Sequence, residues 1–99
     1  MPERVTLSTL DDSTHEEVFA ARPRTVRLRL DAGERVPPHD HPGTAVLLVV
    51  LSGGLDVRLD DEEYALDEGD VLRFDGERTI EPRARTATRA LVVFAPAAE

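Results

Sequence analysis

The chain has 99 residues and a formal net charge of −8, from 12 basic and 20 acidic side chains. That length makes one domain around one core, and the absence of Cys excludes a disulfide framework, thiolate metal sites and thiol nucleophiles. A negative surface repels phosphate backbones, four aromatics are too few for a base-stacking platform, and the longest apolar run is far short of the ~20 residues of a membrane span. Neither nucleic acid nor membrane is therefore expected as a partner. Pro2, Glu3 and Arg4 open the chain without an apolar stretch behind them, so no signal peptide is read and a cytoplasmic protein is expected. Every basic residue is Arg. Excess acid with Arg in place of Lys suits work in high salt or reflects codon composition.

In chain order, residues 1–22 form an N-terminal segment. Ser13-Thr14-His15-Glu16 fits a capping box, and Pro23 would end the turn, so a short helix is expected there. Val26, Leu28 and Leu30 alternate with Thr25, Arg27 and Arg29, the pattern of a half-buried strand with both arginines on its polar face. Thr44 to Leu51 is apolar on both faces. Leu55, Val57 and Leu59 alternate with Asp56, Arg58 and Asp60. Tyr64 to Leu66, Val71 to Phe74, Thr79 to Ala84 and Thr88 to Ala95 follow as short strands. Ser52-Gly53-Gly54, Asp60-Asp61-Glu62, Asp67-Glu68-Gly69-Asp70 and Asp75-Gly76-Glu77 separate them as turns. Strand-sized runs at such spacing predict an all-β sandwich or barrel over about residues 25–95, within a single domain 1–99.

Two of these strands, Thr44 to Leu51 and Ala90 to Ala95, need a cover on the second face. The N-terminal segment could supply it, or a second subunit. In so small a domain a subunit is favoured, and a homodimer is expected.

The sharpest candidate site is Pro37-Pro38-His39-Asp40-His41-Pro42-Gly43. Residues two apart on an extended strand share a face, with Cα atoms roughly 6.6 Å apart. Two such imidazoles can converge on one ion at about 2.1 Å each. The flanking prolines stiffen that geometry.

These residues resemble the first motif of the cupin superfamily, the small RmlC-like jelly-roll barrels. Gly33 is followed by five residues, then His39-Asp40-His41, four residues, Val46, six more and Gly53. The spacing matches at every marked position, and Val46 occupies the family's Glu slot. Gly69-Asp70 matches the opening of the second motif. Asp75, Glu77, Ile80 and Ala84 then stand in its Pro, Gly, His and Asn slots. The resemblance covers about residues 25–95. It implies a double-stranded β-helix, or jelly roll, whose cavity is lined by His39, His41, Val46 and Ile80. Of four family metal ligands, His39 and His41 remain.

A pocket with two imidazoles and two aliphatic walls solvates a divalent cation poorly. The expected cofactor is a weakly held divalent transition metal or none, with Zn, Ni or Cu ahead of Fe because imidazole sites follow the Irving–Williams order. Asp40 alternates with the histidines and should face solvent, and Asp75 and Glu77 read as solvated turn residues. His15 reaches a pocket only if the N-terminal segment folds over the barrel or crosses to a neighbour, and a position away from it is expected. Arg is dense at Arg22, Arg24, Arg27 and Arg29, and again at Arg78, Arg83, Arg85 and Arg89. Surface pairing with carboxylates is the expected role. Anion recognition through the Arg fork is the alternative. Arg73 could face either way.

The resulting expectation is a barrel that binds a small molecule, with His39 and His41 as polar anchors and Val46 and Ile80 as apolar walls. Two alternatives stand beside it. One is a metal-dependent isomerase, decarboxylase or lyase with a two-His ion. The other is a non-enzymatic dimeric barrel that contacts another protein. Fold alone does not choose among them.

Overall fold

A computed structural model describes residues 2–96. After a short 3-10 turn at Leu7–Thr9 come eight strands: β1 (His15–Phe19), β2 (Arg24–Leu30), β3 (Thr44–Ser52), β4 (Gly54–Leu59), β5 (Glu62–Asp67), β6 (Val71–Asp75), β7 (Ile80–Ala84) and β8 (Thr88–Pro96). They form two antiparallel sheets. One has five strands in the order β1-β2-β8-β3-β6, and the other has three in the order β5-β4-β7. This is the all-β architecture read from the alternation pattern, in the jelly-roll form that the cupin resemblance implies, and seven of the strands fall on the seven expected runs. Among the described residues no helix is long and apolar enough to cross a membrane.

The pairing registers fix which side chains share the interior. Across the five-stranded sheet, Arg24, Phe94, Val46 and Phe74 form one inward row, and Val26, Val92, Leu48 and Leu72 form the next. Leu55, Val57 and Leu59 of β4 and Ile80 and Ala84 of β7 face them from the smaller sheet, all in one buried cluster. Gly53 makes the corner where the chain leaves one sheet for the other. Its φ of 88° suits glycine alone, and a Cβ there would collide with Ala87 and Thr88.

The expected helix at Ser13 to Glu16 is not formed. His15–Phe19 is instead β1, paired with β2 from His15↔Leu28 to Glu17↔Val26, with a bulge before Phe19↔Thr25. A helix of one or two turns is marginal on its own. Joining β2 satisfies an open edge of backbone donors and acceptors, so the tertiary partner overrides the capping signal.

A second correction concerns Arg27. It does lie on the outer face of β2, but it is only 3% exposed. The N-terminal segment lies over it, and its Nη2 donates to the carbonyls of Asp11 (2.6 Å) and Ser13 (3.4 Å). Among the described residues its Nε is buried without a partner. Arg29 beside it reaches Asp12 and Asp31. Arg73, ambiguous in the sequence, stands opposite Leu47 and faces outward.

The outer face of β3 and β8 is thus covered only in part. The N-terminal segment covers the β2 end. At the other end Leu47 and Val71 are 40% and 60% exposed.

Candidate functional site

The interior opens at one end into a cavity of about 190 Å³ between the sheets. Fourteen of the described residues line it. Ten are apolar, among them Val46, Ile80, Phe74 and Phe94, and the other four are His15, Arg24, His39 and His41. The four residues singled out by the motif spacing thus meet in one cavity. His15 and Arg24 join them from β1 and β2.

His39 sits in the connection between β2 and β3. Its backbone bridges Ile80 of β7, with His39 N to Ile80 O at 3.1 Å and Ile80 N to His39 O at 2.8 Å. This bridge sets the imidazole beside the Ile80 side chain. Nδ1 lies 2.9 Å from the Pro37 carbonyl. A carbonyl only accepts, so Nδ1 carries the hydrogen and points away from any ligand.

His41 is held by a second set of contacts. Its N–H donates to Gly76 O at 2.7 Å, Thr44 Oγ1 donates to its carbonyl at 2.6 Å, and Gly76 N–H returns to Thr44 O at 2.8 Å. A Cβ on Gly76 would collide with the His41 carbonyl and with Thr44. Glycine is therefore required where the turn before β7 supports the histidine loop. Glu77, read as a solvated turn residue, accepts from Gly43 N–H at 3.2 Å and ties down the same loop. Asp40 is exposed, as its alternation with the histidines implies.

The His39 and His41 rings meet edge to face, 4.8 Å between centroids at 86°. His41 in turn meets Phe94 at 4.7 Å and 61°. Both geometries are favourable for aromatic pairs. The Arg24 guanidinium lies 5.2 Å from the Phe94 ring centre. Burial lowers the pKa of His41 below the ordinary 6.5. His39, Arg24 and His15 lower it further by repulsion, with Asp40 opposing them. His15 is lowered by burial and then by His39. Both rings are therefore neutral at pH 7.

His15 corrects its expected placement. The residues it was grouped with suggested a helix, whereas register with Leu28 turns its side chain onto the inward face of the sheet. That register depends on a partner strand distant in sequence, so no local pattern carried it. Arg24 was one of a dense Arg run. Its signal was phase: it shares the parity of Val26 and Leu28, which face inward.

The donor set does not fit the four-ligand ion that the family resemblance implies. Val46 and Ile80 offer no donor atoms. Among the described residues no group of three or more His, Cys, Asp or Glu is placed to hold a metal ion. Two imidazoles alone leave most of a coordination shell to water.

Comparison with known proteins bears on the fold and the family. None of the curated proteins matches the chain closely enough to count as a relative. Among solved structures, it is similar to an RmlC-like cupin protein from Desulfovibrio desulfuricans, with 25% identity over 97% of each chain and a TM-score of 0.83. It is also similar to a cupin protein from Bacteroides fragilis, with 24% identity over 100% of this chain and 89% of that one, at a TM-score of 0.81. KdgF from Halomonas sp. shares 23% identity over 86% of this chain and 79% of its own, with a TM-score of 0.74. The cupin domain pattern matches residues 26–95, well over half of the chain. The protein belongs to the cupin family.

Proposed function

We propose that the protein binds a small molecule in the cavity between its sheets, with His39 and His41 as polar anchors and Val46 and Ile80 as apolar walls. The carrying observation is the lining itself, ten apolar residues with four polar ones. A few polar groups in an apolar cleft are the usual form of a ligand site. At about 190 Å³ the cavity is smaller than a drug-sized pocket, so its ligand is of small-metabolite size. A divalent metal on His39 and His41 would be held weakly, by two protein ligands and water, and Zn, Ni or Cu would precede Fe.

The test is a small-molecule screen by ligand-observed NMR on wild type, His39→Ala, His41→Ala and Ile80→Trp. Hits should weaken in both histidine variants and vanish when the indole fills the cavity. Hits indifferent to all three changes would overturn the reading. Metal content by mass spectrometry of tag-free protein should lie well below one ion per chain, and Val46→Glu with Ile80→His should raise it.

A second copy of the chain is the proposed cover for the exposed apolar face. Ala45, Leu47, Val93 and Ala95 line a shallow depression there with Arg73, and among the described residues no carboxylate lines it. Two copies of a chain with net charge −8 can meet on this face without bringing acid against acid. A flat sheet face is self-complementary about a two-fold axis.

A further inference from the structure

None of the four polar residues around the cavity carries a negative charge. Acidic residues make up 20 of the 99, yet among the described residues none lines this cavity. Three imidazoles and one guanidinium converge there in an otherwise acidic protein. Arg24 is permanently charged, and the histidines offer ring N–H donors.

Among the described residues the one carboxylate hydrogen-bonded to this group is Glu17, which accepts from Arg24 Nε at 3.0 Å. Glu17 is outside the cavity lining. The pair is about half exposed on both sides, 51% and 47%, and such surface pairs are worth little. Glu17 also engages only Nε. Among the described residues the two terminal nitrogens of Arg24 have no hydrogen-bond partner. A guanidinium edge of that kind is a ready fork for a carboxylate. It lies over Phe94, the ring that His41 also meets, so fork and imidazole flank one apolar floor. Deeper in, Leu48, Phe74, Ile80 and Val92 offer only hydrocarbon.

We propose that the ligand is a small monocarboxylate with an apolar body, its carboxylate held by Arg24 with His15 and His41, its body against Phe74, Ile80 and Val92. This rests on the small-molecule reading above and narrows it to one chemical class. A second carboxylate would be buried against aliphatic walls without a partner, which is costly, so dicarboxylates of equal length are excluded. Each added methylene should tighten binding by roughly fourfold until the cavity is full, since a buried CH₂ contributes about 0.8 kcal/mol and 1.4 kcal/mol is a factor of ten.

The test is calorimetric titration with straight-chain monocarboxylates of increasing length, the matching primary alcohols and the matching dicarboxylates. It uses wild type, Arg24→Gln, Ile80→Trp and, as a control, Arg89→Gln on the outer face. Wild type and Arg89→Gln should prefer the monocarboxylate over the alcohol by tenfold or more. Arg24→Gln should bring the two within about twofold while keeping the alcohol's affinity, which shows that the variant is folded. Equal binding of acid and alcohol by wild type would overturn the charge class and leave the pocket reading standing. A preference that survives Arg24→Gln would overturn the assignment to Arg24. Binding of acids and alcohols alike that Ile80→Trp leaves unchanged would overturn the pocket reading itself.

Discussion

The two sheets share one construction inside and differ outside. On their inner faces both present aliphatic side chains to a common core. On its outer face the three-stranded sheet sets opposite charges directly across from one another: Arg58 against Glu63 and Glu81, Asp56 against Arg83. Arg85 adds ion pairs to Asp56 and Asp67, and Arg78 to Asp60 and Glu62. That face is complete in water. The five-stranded sheet instead turns Leu47, Val49, Leu91 and Val93 outward, in register with one another. The cavity lies between the two sheets, but only the five-stranded sheet carries an unfinished outer surface. Polarity of the outer face, more than strand propensity, distinguishes the two sheets.

Charging the unfinished face should separate the two sheets most strongly. Leu47→Glu with Val93→Glu should convert a dimer wholly to monomer in sedimentation velocity at micromolar concentration. Arg83→Glu, on the finished sheet, should leave the mass unchanged. A wild-type chain that sediments as a monomer at these concentrations would end the proposal of a second copy as cover.

The inner faces should respond alike. Leu48 of the five-stranded sheet is 2% exposed and Val57 of the three-stranded sheet is fully buried. Leu48→Ala should cost about 2–5 kcal/mol, and Val57→Ala somewhat less because fewer atoms are removed. Urea midpoints read both. A loss at Val57 below about 0.5 kcal/mol would mean that the smaller sheet is not an equal half of the core.

What the sequence showed of this architecture depended on where the controlling partner lay. Leu55, Val57 and Leu59 alternate with charges, so strand, face and core membership are all local facts. β1 was misread because its reason for being a strand is the open edge of β2. Arg27 was placed on the correct face but given solvent as its neighbour, when its neighbours are the carbonyls of Asp11 and Ser13. The meeting of His39 with Ile80 across a backbone bridge is non-local as well. It was legible only because motif spacing, and not periodicity, marked both positions. His15 and Arg24 have no such mark: the place of His15 follows from register alone, and that of Arg24 from the phase it shares with Val26 and Leu28.

Arg27 offers a smaller effect that tests the partial cover. Arg27→Ala removes two hydrogen bonds from a charged donor to backbone carbonyls, each such bond being worth about 1.5–3 kcal/mol at most. Its Nε gains nothing in the fold, being unpartnered among the described residues, so a net loss of about 2 kcal/mol is expected. Amides of residues 5–13 should exchange faster in hydrogen–deuterium exchange, while those of β4 should be unaffected. Unchanged exchange at the N-terminal segment would show that Arg27 does not hold it.

The smallest effect separates the two sheets by pH. His15 and His41 have folded pKa values below the ordinary 6.5, both through burial and the repulsion of His39, and His41 also through Arg24 and His15 with Asp40 opposing. The unfolded chain therefore binds protons first as pH falls below 6.5, and stability declines from there until the folded rings also protonate. Asp60, on the smaller sheet, has the opposite perturbation. Its hydrogen bonds from Arg78 and from the Thr79 N–H lower its pKa below 3.8. Its contribution is present above 3.8 and is lost as pH falls through the lowered folded value. Acid should thus weaken the protein in two separate stages, first at the cavity and then at the ion pairs. Thermal melts in steps from pH 8 to pH 3 should be flat above pH 7 and show a first decline below 6.5. His15→Gln with His41→Gln should remove that first decline and leave the later one. Arg78→Gln should do the reverse. Because Asp60 is exposed and its pairs are screened, the second change is the smaller, and 0.5 M salt should reduce it further. A first decline that persists without both histidines would assign it to other groups and dissolve the distinction between the two sheets in acid.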